Sequence, residues 1–250
     1  VAGKQVRVVG AGPAGLMAAE VLARAGTRVE IIDHHPHPAR KFILAGRGGL
    51  NITHSERLDD LLERYGDGRP FLEHAIRAFP PEAVRSWCWG LGIETFIGTS
   101  GRVFPSDLKA SPLLRAWLRR LEGLGVVRHA SVPWQGFDDV PTILAMGGAS
   151  WPELGSDAAW VSVFQRQGID VTPLTPSNSR HLVPWSDYMA KHFAGTPVKN
   201  VALSAGGRTV RGEIMIMDDG IEGGAIYALS AQLRAPETEL VIDLKPDLSD

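Results

Sequence analysis

Three glycines and one acid near the start of the chain have the spacing of a dinucleotide-binding turn. Gly10, Gly12 and Gly15 form a Gly-x-Gly-x-x-Gly pattern directly after the run Gln5–Val9, and Asp33 follows further along. In such a turn the first glycine makes the tight bend, the second lets the backbone approach a pyrophosphate, and the third lets a helix pack on a strand. The Asp33 carboxylate could accept hydrogen bonds from both adenosine-ribose hydroxyls, and it would repel the 2′-phosphate of NADP.

The elements around these residues form a predicted strand–helix–strand unit. A helix is expected to run to about Ala25, with Gly26 as its C-cap and Arg28–Asp33 as the next strand. The order predicts a parallel sheet, with the positive end of the helix dipole directed at bound phosphates. Glu20 and Arg24 are predicted to form an exposed ion pair. FAD, NAD and a ligand-free βαβ unit all remain compatible with this pattern.

The rest of the chain divides by its patterning into two predicted domains. Helical spacing of apolar residues predicts helices over 55–65, 70–79, 111–123 and 157–167, and apolar runs predict strands over 142–146 and 169–172. Past residue 173, Pro, Asn and Ser cluster and short strand-like runs follow over 201–204, 213–217 and 239–244. We therefore expect an α/β Rossmann-like domain over 1–175 and a β-rich domain over 176–250.

Composition narrows the possible functions. The 250 residues are 44% hydrophobic and 22% charged with a net charge of −2, which is typical of a globular protein and argues against a broad nucleic-acid surface. A single cysteine excludes an internal disulfide and a redox cysteine pair. Pro36 and Pro38 break the geometry of the three histidines at 34, 35 and 37, and no carboxylate or cysteine follows them at ligand spacing, so no metal site is predicted. No apolar run is long enough for a transmembrane helix, and a cytoplasmic location is expected.

A second glycine-rich block extends the interpretation from the residues to a family. Residues 39–53 read ARKFILAGRGGLNIT, and three later blocks follow at 101–105, 147–157 and 220–230. Together they resemble, in the same order, a bacterial family of FAD-dependent oxidoreductases that includes the bile-acid-inducible flavoprotein and aminoacetone-oxidase-like FAD-binding enzymes. The resemblance selects FAD as the cofactor.

The resemblance also implies which residues hold FAD. The residues that it assigns to the pyrophosphate are Gly10, Gly12, Ala14 and Gly15, with Arg40 and Lys41 nearby. It assigns Asp33 to the adenosine ribose and a backbone contact with adenine to Val132. The residues that it places beside the flavin or at the turn after a later strand are Gly46, Gly48, Asn51, Met146, Gly147 and Gly148.

Two of the chain's departures from the family pattern bear most on the prediction. Ala45, Gly49, Leu50 and Met146 replace the usual Ser, Arg, Cys and Thr, which affects side-chain contacts near the flavin. In the family the segment from about residue 176 is an inserted domain, after which the chain returns to the FAD fold. This sequence ends at Asp250, inside that segment, so we expect an incomplete insert and a truncated chain, unless 220–224 supplies a second flavin-contacting loop.

These observations predict an FAD-dependent oxidoreductase that transfers hydride between a small-molecule substrate and flavin, with NAD(P)H or O₂ as second partner. Two alternatives stay open: an NAD-dependent dehydrogenase, and an FAD-binding module without turnover. Nucleic acid and membranes are not expected as partners. Arg47, His54, Arg102 and Lys109 are polar residues to examine near the flavin, and the sequence indicates no catalytic residue, substrate or oligomeric state.

Overall fold

The computed structural model describes residues 5–235 and 237–248, except for the side chain of Arg47. It divides into two compact units, Val1–Val171 and Thr172–Asp250. Whether the second unit is an inserted domain stays a prediction. Among the described residues, no helix has both the length and the apolar character needed to cross a membrane.

The first unit alternates helices and strands. In chain order these are β1 (Gln5–Val9), α1 (Pro13–Arg24), β2 (Arg28–Asp33), α2 (Arg40–Ala45), β3 (Thr53–His54), α3 (Leu58–Glu63), α4 (Arg69–Ala78), α5 (Pro81–Gly90), β4 (Thr95–Ile97), β5 (Arg102–Pro105), α6 (Ala110–Gly123), β6 (Val127–Ala130), β7 (Thr142–Leu144) and α7 (Trp160–Arg166). Short 3₁₀ turns lie at Gly46–Gly48, Gly66–Gly68 and Pro152–Leu154. The predicted strand over 169–172 is wrong: the segment pairs with no described strand and is largely exposed.

The main sheet of this unit is parallel, as predicted. Its order is β6-β2-β1-β7, and each neighbouring pair runs in the same direction. The chain leaves β1 toward β2 on one side and later returns on the other side as β7. Ligands of open α/β sheets bind at the carboxyl ends of strands at such a reversal. The fold-class prediction of a Rossmann-like parallel sheet, together with a separate β-rich region, is confirmed.

One face of the sheet is covered by α1 and α6. Val8 and Ile31 from the sheet, Leu16 from α1 and Trp117 from α6 belong to one buried apolar cluster. Fully burying a side chain of this size stabilises the fold by about 1.5–3 kcal/mol. This packing fixes α1 against the sheet and therefore fixes where the helix begins.

The sequence predicts an exposed Glu20–Arg24 pair. This prediction is wrong for Glu20, which is only 2% exposed. Its carboxylate accepts hydrogen bonds from Arg24 Nε at 2.9 Å, Arg120 Nη1 at 2.9 Å and Trp87 Nε1 at 3.1 Å. A buried carboxylate is tolerated only when it is paired in this way. Glu20 therefore joins α1 to α5 and α6.

A small antiparallel sheet of order β3-β5-β4, which the sequence did not indicate, follows α2. Its strands have two to four residues, too few for a clear alternating pattern. Leu50, Cys88, Ala110 and Leu113 form the buried cluster of this region.

The second unit is β-rich. Its elements are β8 (His181–Leu182), α8 (Asp187–Phe193), β9 (Pro197–Ala205), β10 (Arg208–Ile216), β11 (Gly220–Glu222), α9 (Gly224–Ala228), α10 (Ser230–Leu233) and β12 (Val241–Asp243). The antiparallel sheet has the order β12-β9-β10-β11-β8. Residues from β9, β10, β11 and α9 form its buried core, which includes Leu203, Ile214 and Ile226.

Two glycines of the 220–224 segment have structural explanations inside this unit. A Cβ on Gly220 would overlap the carbonyl oxygen of His181, and Gly223 has φ 114° where it precedes α9. Close strand pairing and a left-handed turn therefore account for both glycines without a flavin.

Candidate functional site

A cleft of about 410 Å³ lies at the carboxyl ends of the parallel strands in the first unit. This volume is within the range of about 300–1,000 Å³ that is usual for small-molecule sites. Nine of the fourteen residues implied by the family resemblance line it, namely Gly10, Gly12, Asp33, Arg40, Lys41, Val132, Met146, Gly147 and Gly148. The structure thus brings together residues from four separate stretches of sequence.

The three glycines of the turn have different structural explanations. Gly10 has φ 103°, and a Cβ on Gly15 would overlap the carbonyl oxygen of Gly10, so the fold itself requires both. Gly12 has φ −77°, which any residue can adopt, and a Cβ there would meet no atom within 4 Å. The protein's own packing therefore does not require glycine at position 12. A glycine at this position leaves room for a ligand against the backbone, as a diphosphate requires.

The amino end of α1 is open to an anion. The helix begins at Pro13 after Gly12, no described side chain caps it, and its first turn contains no acidic residue. Ala14 and Gly15 lie in this first turn rather than in the lining of the cleft. Backbone N–H groups and the helix dipole at such an end favour phosphate oxygens.

Asp33 links the end of β2 to the glycine turn. Its Oδ2 accepts a hydrogen bond from the backbone N–H of Ala11 at 2.6 Å, and its Oδ1 accepts one from the N–H of His35 at 2.7 Å. A carboxylate has about four acceptor positions, so two hydrogen bonds leave capacity for further donors. The Asp33 side chain is 13% exposed, at the wall of the cleft. These properties suit an acceptor for ribose hydroxyls.

Two basic residues after β2, Arg40 and Lys41, line the same cleft as Asp33. Arg40 Nη1 lies 3.0 Å from His35 Nδ1, and Lys41 Nζ donates to Ser150 Oγ. Burial lowers the pKa of His35, and the nearby His34 and Arg40 lower it further. Arg40 therefore faces a neutral imidazole at neutral pH and keeps its positive charge available to the cleft.

Val132 follows β6, and its backbone N–H already has a hydrogen-bond acceptor. Its N–H donates to the Asp33 carbonyl at 2.9 Å. The implied backbone contact with adenine would therefore have to use the carbonyl oxygen of Val132 rather than its N–H.

The turn after β7 forms another wall of the cleft. Trp160 Nε1 donates to the carbonyl of Gly147 at 3.0 Å, and the buried Ser156 donates through Oγ to the carbonyl of Gly148 at 3.1 Å. Gly148, like Gly12, has open space where a Cβ would stand. Met146 lines the cleft beside these two glycines.

Three residues assigned to the flavin side lie outside the cleft lining. A Cβ on Gly46 would press on Ala110, and Asn51 Nδ2 donates to the carbonyls of Thr53 at 2.7 Å and Val103 at 3.2 Å. Packing and hydrogen bonding thus explain these two residue types without a ligand, and Gly48 is exposed nearby. Their contact with flavin stays a prediction.

Three of the other polar residues named for the flavin pocket also lie outside the cleft lining. His54 Nε2 lies 3.0 Å from the carbonyl of Ser100, Arg102 lies on β5, and Lys109 precedes α6. The side chain of Arg47 lies outside the described part of the structure. Within that described part, no group of three or more His, Cys, Asp or Glu side chains could hold a metal ion.

The sequence interpretation missed the aromatic part of the cleft. Trp134 and Trp160 both line it, although neither was assigned a contact with the ligand. A single tryptophan outside any periodic pattern is usually a core residue, so the sequence carried little indication that either tryptophan contacts a ligand. Only the fold brings them beside the glycine turns.

Comparison with known proteins places the chain in a family. The HI0933-like protein Rossmann domain matches residues 4–216. The ribosomal RNA dihydrouridine synthase of Haemophilus influenzae is 26% identical over 267 residues, covering 96% of this chain and 64% of that protein. The Escherichia coli protein of the same name is 23% identical over 271 residues, with the same two coverages. This chain therefore spans less than two thirds of the length of these curated relatives.

Solved structures resemble the chain only distantly. Glycine oxidase from Geobacillus kaustophilus has a TM-score of 0.35 and 14% identity, covering 71% of this chain and 60% of that one. The aromatic hydroxylase CabE has a TM-score of 0.37 and 16% identity, covering 97% and 52%. These scores are too low to support a functional argument. The family match over most of the sequence is decisive: the chain belongs to the HI0933-like Rossmann-domain family, which binds FAD.

Proposed function

We propose that this chain forms the FAD-binding part of a flavin-dependent oxidoreductase. The observation that carries the proposal is the position of Asp33, whose carboxylate is hydrogen-bonded to Ala11 beside the uncapped start of α1. A ribose acceptor and a diphosphate site are thereby adjacent in one cleft. An adenosine diphosphate has its sugar and its phosphates in this same order.

Each part of the cleft has a task in this proposal. The first-turn N–H groups of α1 bind the diphosphate over the open position of Gly12, and Arg40 and Lys41 contribute positive charge beside it. Asp33 accepts from the ribose hydroxyls and orients the sugar. The bound flavin supplies a ring that accepts or donates hydride, while the chain holds it in place. Cys88, the single cysteine, is buried and supplies no dithiol relay.

The substrate and the second electron partner are finer proposals. A small-molecule substrate, with NAD(P)H or O₂ as the second partner, is the first candidate, because both partners exchange electrons with a bound flavin. An NAD-dependent dehydrogenase and an FAD-binding module without turnover remain the alternatives that an experiment must separate.

The curated relatives favour a second candidate substrate, the uracil base of ribosomal RNA. Both relatives are named for dihydrouridine synthesis, and both align over 96% of this chain. Dihydrouridine contains two more hydrogens than uridine. Its formation therefore requires a hydride and a proton, and a reduced flavin can supply the hydride. This candidate opposes the prediction that nucleic acid is not a partner, which was based on the net charge of −2.

Identification of the copurifying small molecule tests the proposal. We expect a yellow protein whose flavin bands bleach with dithionite and whose extracted ligand has the mass of FAD. A colourless protein that binds NAD and no FAD would contradict the proposal. A protein that holds FAD but oxidises or reduces no donor would leave only the binding module.

The two substrate candidates are separated by mass spectrometry. The chemically reduced holoprotein is incubated with ribosomal RNA that lacks dihydrouridine, and the nucleosides are then analysed. A gain of two hydrogens on uridine together with flavin reoxidation supports the RNA substrate. Reoxidation by small molecules with no change in the RNA supports the first candidate.

A further inference from the structure

We infer that Trp134 binds the adenine ring of the dinucleotide by stacking, so that the chain recognises the base by its face. This inference rests on the proposed function, because it takes a bound FAD as its starting point. It assigns a ligand contact to an aromatic side chain that the glycine pattern does not include.

The order of the strands indicates where the base would lie. The diphosphate site follows β1 and the ribose acceptor Asp33 ends β2, and the next strand outward is β6. A base is bonded to its ribose on the side away from the phosphates. It therefore lies against the segment that follows β6.

Backbone hydrogen bonds fix the position of the segment after β6. The N–H of Ser131 donates to the carbonyl of His35 at 3.2 Å, and the N–H of Val132 donates to the carbonyl of Asp33 at 2.9 Å. These two hydrogen bonds hold the chain after β6 against the residues that follow β2. Val132, Pro133 and Trp134 consequently line the cleft next to the ribose acceptor.

Neighbouring aromatic rings support the indole of Trp134. The Trp134 ring centroid lies 5.0 Å from that of Phe137 in an edge-to-face arrangement and 6.0 Å from that of Phe164. The ring centroids of Phe164 and Trp160 are 5.1 Å apart, and the Trp160 indole N–H donates to the carbonyl of Gly147. An aromatic ring held by neighbours of this kind loses little conformational freedom when a base stacks on it.

The N–H of Val132 already has an acceptor, which favours stacking over recognition of the base edge at this residue. Because the N–H of Val132 donates to the carbonyl of Asp33, it cannot also donate to the edge of an adenine ring. Stacking does not depend on the base edge. It provides binding that every purine can share.

The experiment measures the affinity of the apoprotein for nucleotides rather than turnover. Trp134→Ala is expected to weaken ADP and FAD binding by about 5- to 150-fold, the range that follows from base–aromatic stacking. Trp134→Phe keeps an aromatic face and should remain within about threefold of wild type. Trp89→Ala, which removes an exposed tryptophan outside the cleft, is the matched control and should change neither affinity.

Two further ligands sharpen the test. Inosine diphosphate has the same ring shape but a different base edge, so stacking predicts an affinity close to that of ADP. FMN has no adenine, so the Trp134→Ala substitution should not change whatever affinity wild type shows for it. A large loss with inosine diphosphate would overturn the inference in favour of edge recognition.

The outcomes also separate the inference from the proposed function. If wild type binds ADP and FAD, and folded Trp134→Ala and Trp134→Phe bind both equally well, the inference fails while the FAD proposal stands. If wild type binds neither nucleotide, the proposed function fails and the inference fails with it. Circular dichroism melting of each variant confirms that the compared proteins are folded.

Discussion

The carboxylate of Asp33 accepts a hydrogen bond from the backbone N–H of Ala11 at 2.6 Å, across 22 positions of sequence. The acid at the end of β2 therefore holds the glycine turn in addition to lining the cleft. A ligand that binds to Asp33 meets a turn whose conformation this acid already helps to fix.

Replacing Asp33 by Asn should weaken FAD binding. A hydrogen bond to a charged group is worth about 1.5–3 kcal/mol, so we expect affinity to fall by about 10- to 150-fold. Titration of the apoprotein with FAD, followed by flavin fluorescence, measures this change. Asp139→Asn, at an exposed position outside the cleft, is the control. Unchanged affinity in folded Asp33→Asn would show that this acid does not hold the ribose.

Gly12 and Gly15 should respond differently to alanine. A Cβ at position 12 meets no protein atom within 4 Å, so Gly12→Ala should cost about 1 kcal/mol of folding free energy or less. It should reduce FAD affinity by an amount equivalent to about 1–3 kcal/mol, because the methyl group occupies the ligand's space.

Gly15→Ala should instead destabilise the folded protein, since its Cβ would overlap the carbonyl oxygen of Gly10. Urea unfolding and FAD titration of both variants separate the two effects. If Gly12→Ala binds FAD as tightly as wild type does, the diphosphate does not pass over this turn.

Glu20 should contribute strongly to stability. Removing one partner of a buried ion pair costs about 3–5 kcal/mol, so Glu20→Ala should lower the free energy of unfolding by an amount in that range. Glu122→Ala on the exposed surface of α6 should change it by about 0.5 kcal/mol or less. Chemical denaturation of both variants gives the comparison, and equal stabilities would contradict a structural role for the buried carboxylate.

The same residue should make stability depend on acid pH. Burial by itself raises the pKa of Glu20, but hydrogen bonds from Trp87, Arg120 and Arg24 outweigh it and hold the pKa below the ordinary 4.5. Its stabilising contribution is therefore complete above the unfolded-state value, and it is lost as pH falls through the lower folded-state value. In Glu20→Gln, the free energy of unfolding should fall less steeply with decreasing pH than in wild type, as measured by urea unfolding at successive pH values. An equally steep fall in both proteins would assign the pH dependence to other carboxyl groups.

Cys88 should be unreactive in the folded protein. It is fully buried, and burial raises the pKa of its thiol to about 11, so the reactive thiolate is scarce at neutral pH. We expect a thiol reagent such as DTNB to label the chain only after denaturation, to one thiol per chain. Rapid labelling under native conditions would show that α5 opens readily.

The β1–α1–β2 unit could be predicted because its information is local. Apolar strands, spaced glycines and Gly26 after the helix lie within one short stretch and require no knowledge of distant residues. The buried state of Glu20 could not be predicted in this way, because its partners Trp87 and Arg120 are 67 and 100 positions away. On sequence alone, Glu20 and Arg24 form an ordinary surface pair.

The candidate site also combines features that the sequence predicts with features that only the structure shows. The glycine pattern indicated Gly12, but only the structure shows that the space beside it is open. Asn51 belongs to a block that the family resemblance placed near flavin, whereas the structure shows its amide bonded to the small sheet. The short strands of that sheet give too weak a pattern to reveal this competing role.

Helix α1 is held at two places by contacts that include no nucleotide. At its start the turn is tied to Asp33, and further along Glu20 binds it to α5 and α6. Such an arrangement is preorganised: little ordering entropy remains to be lost when a dinucleotide docks. Release of the cofactor should accordingly leave a folded apoprotein that can be reloaded, and association should follow a single bimolecular phase.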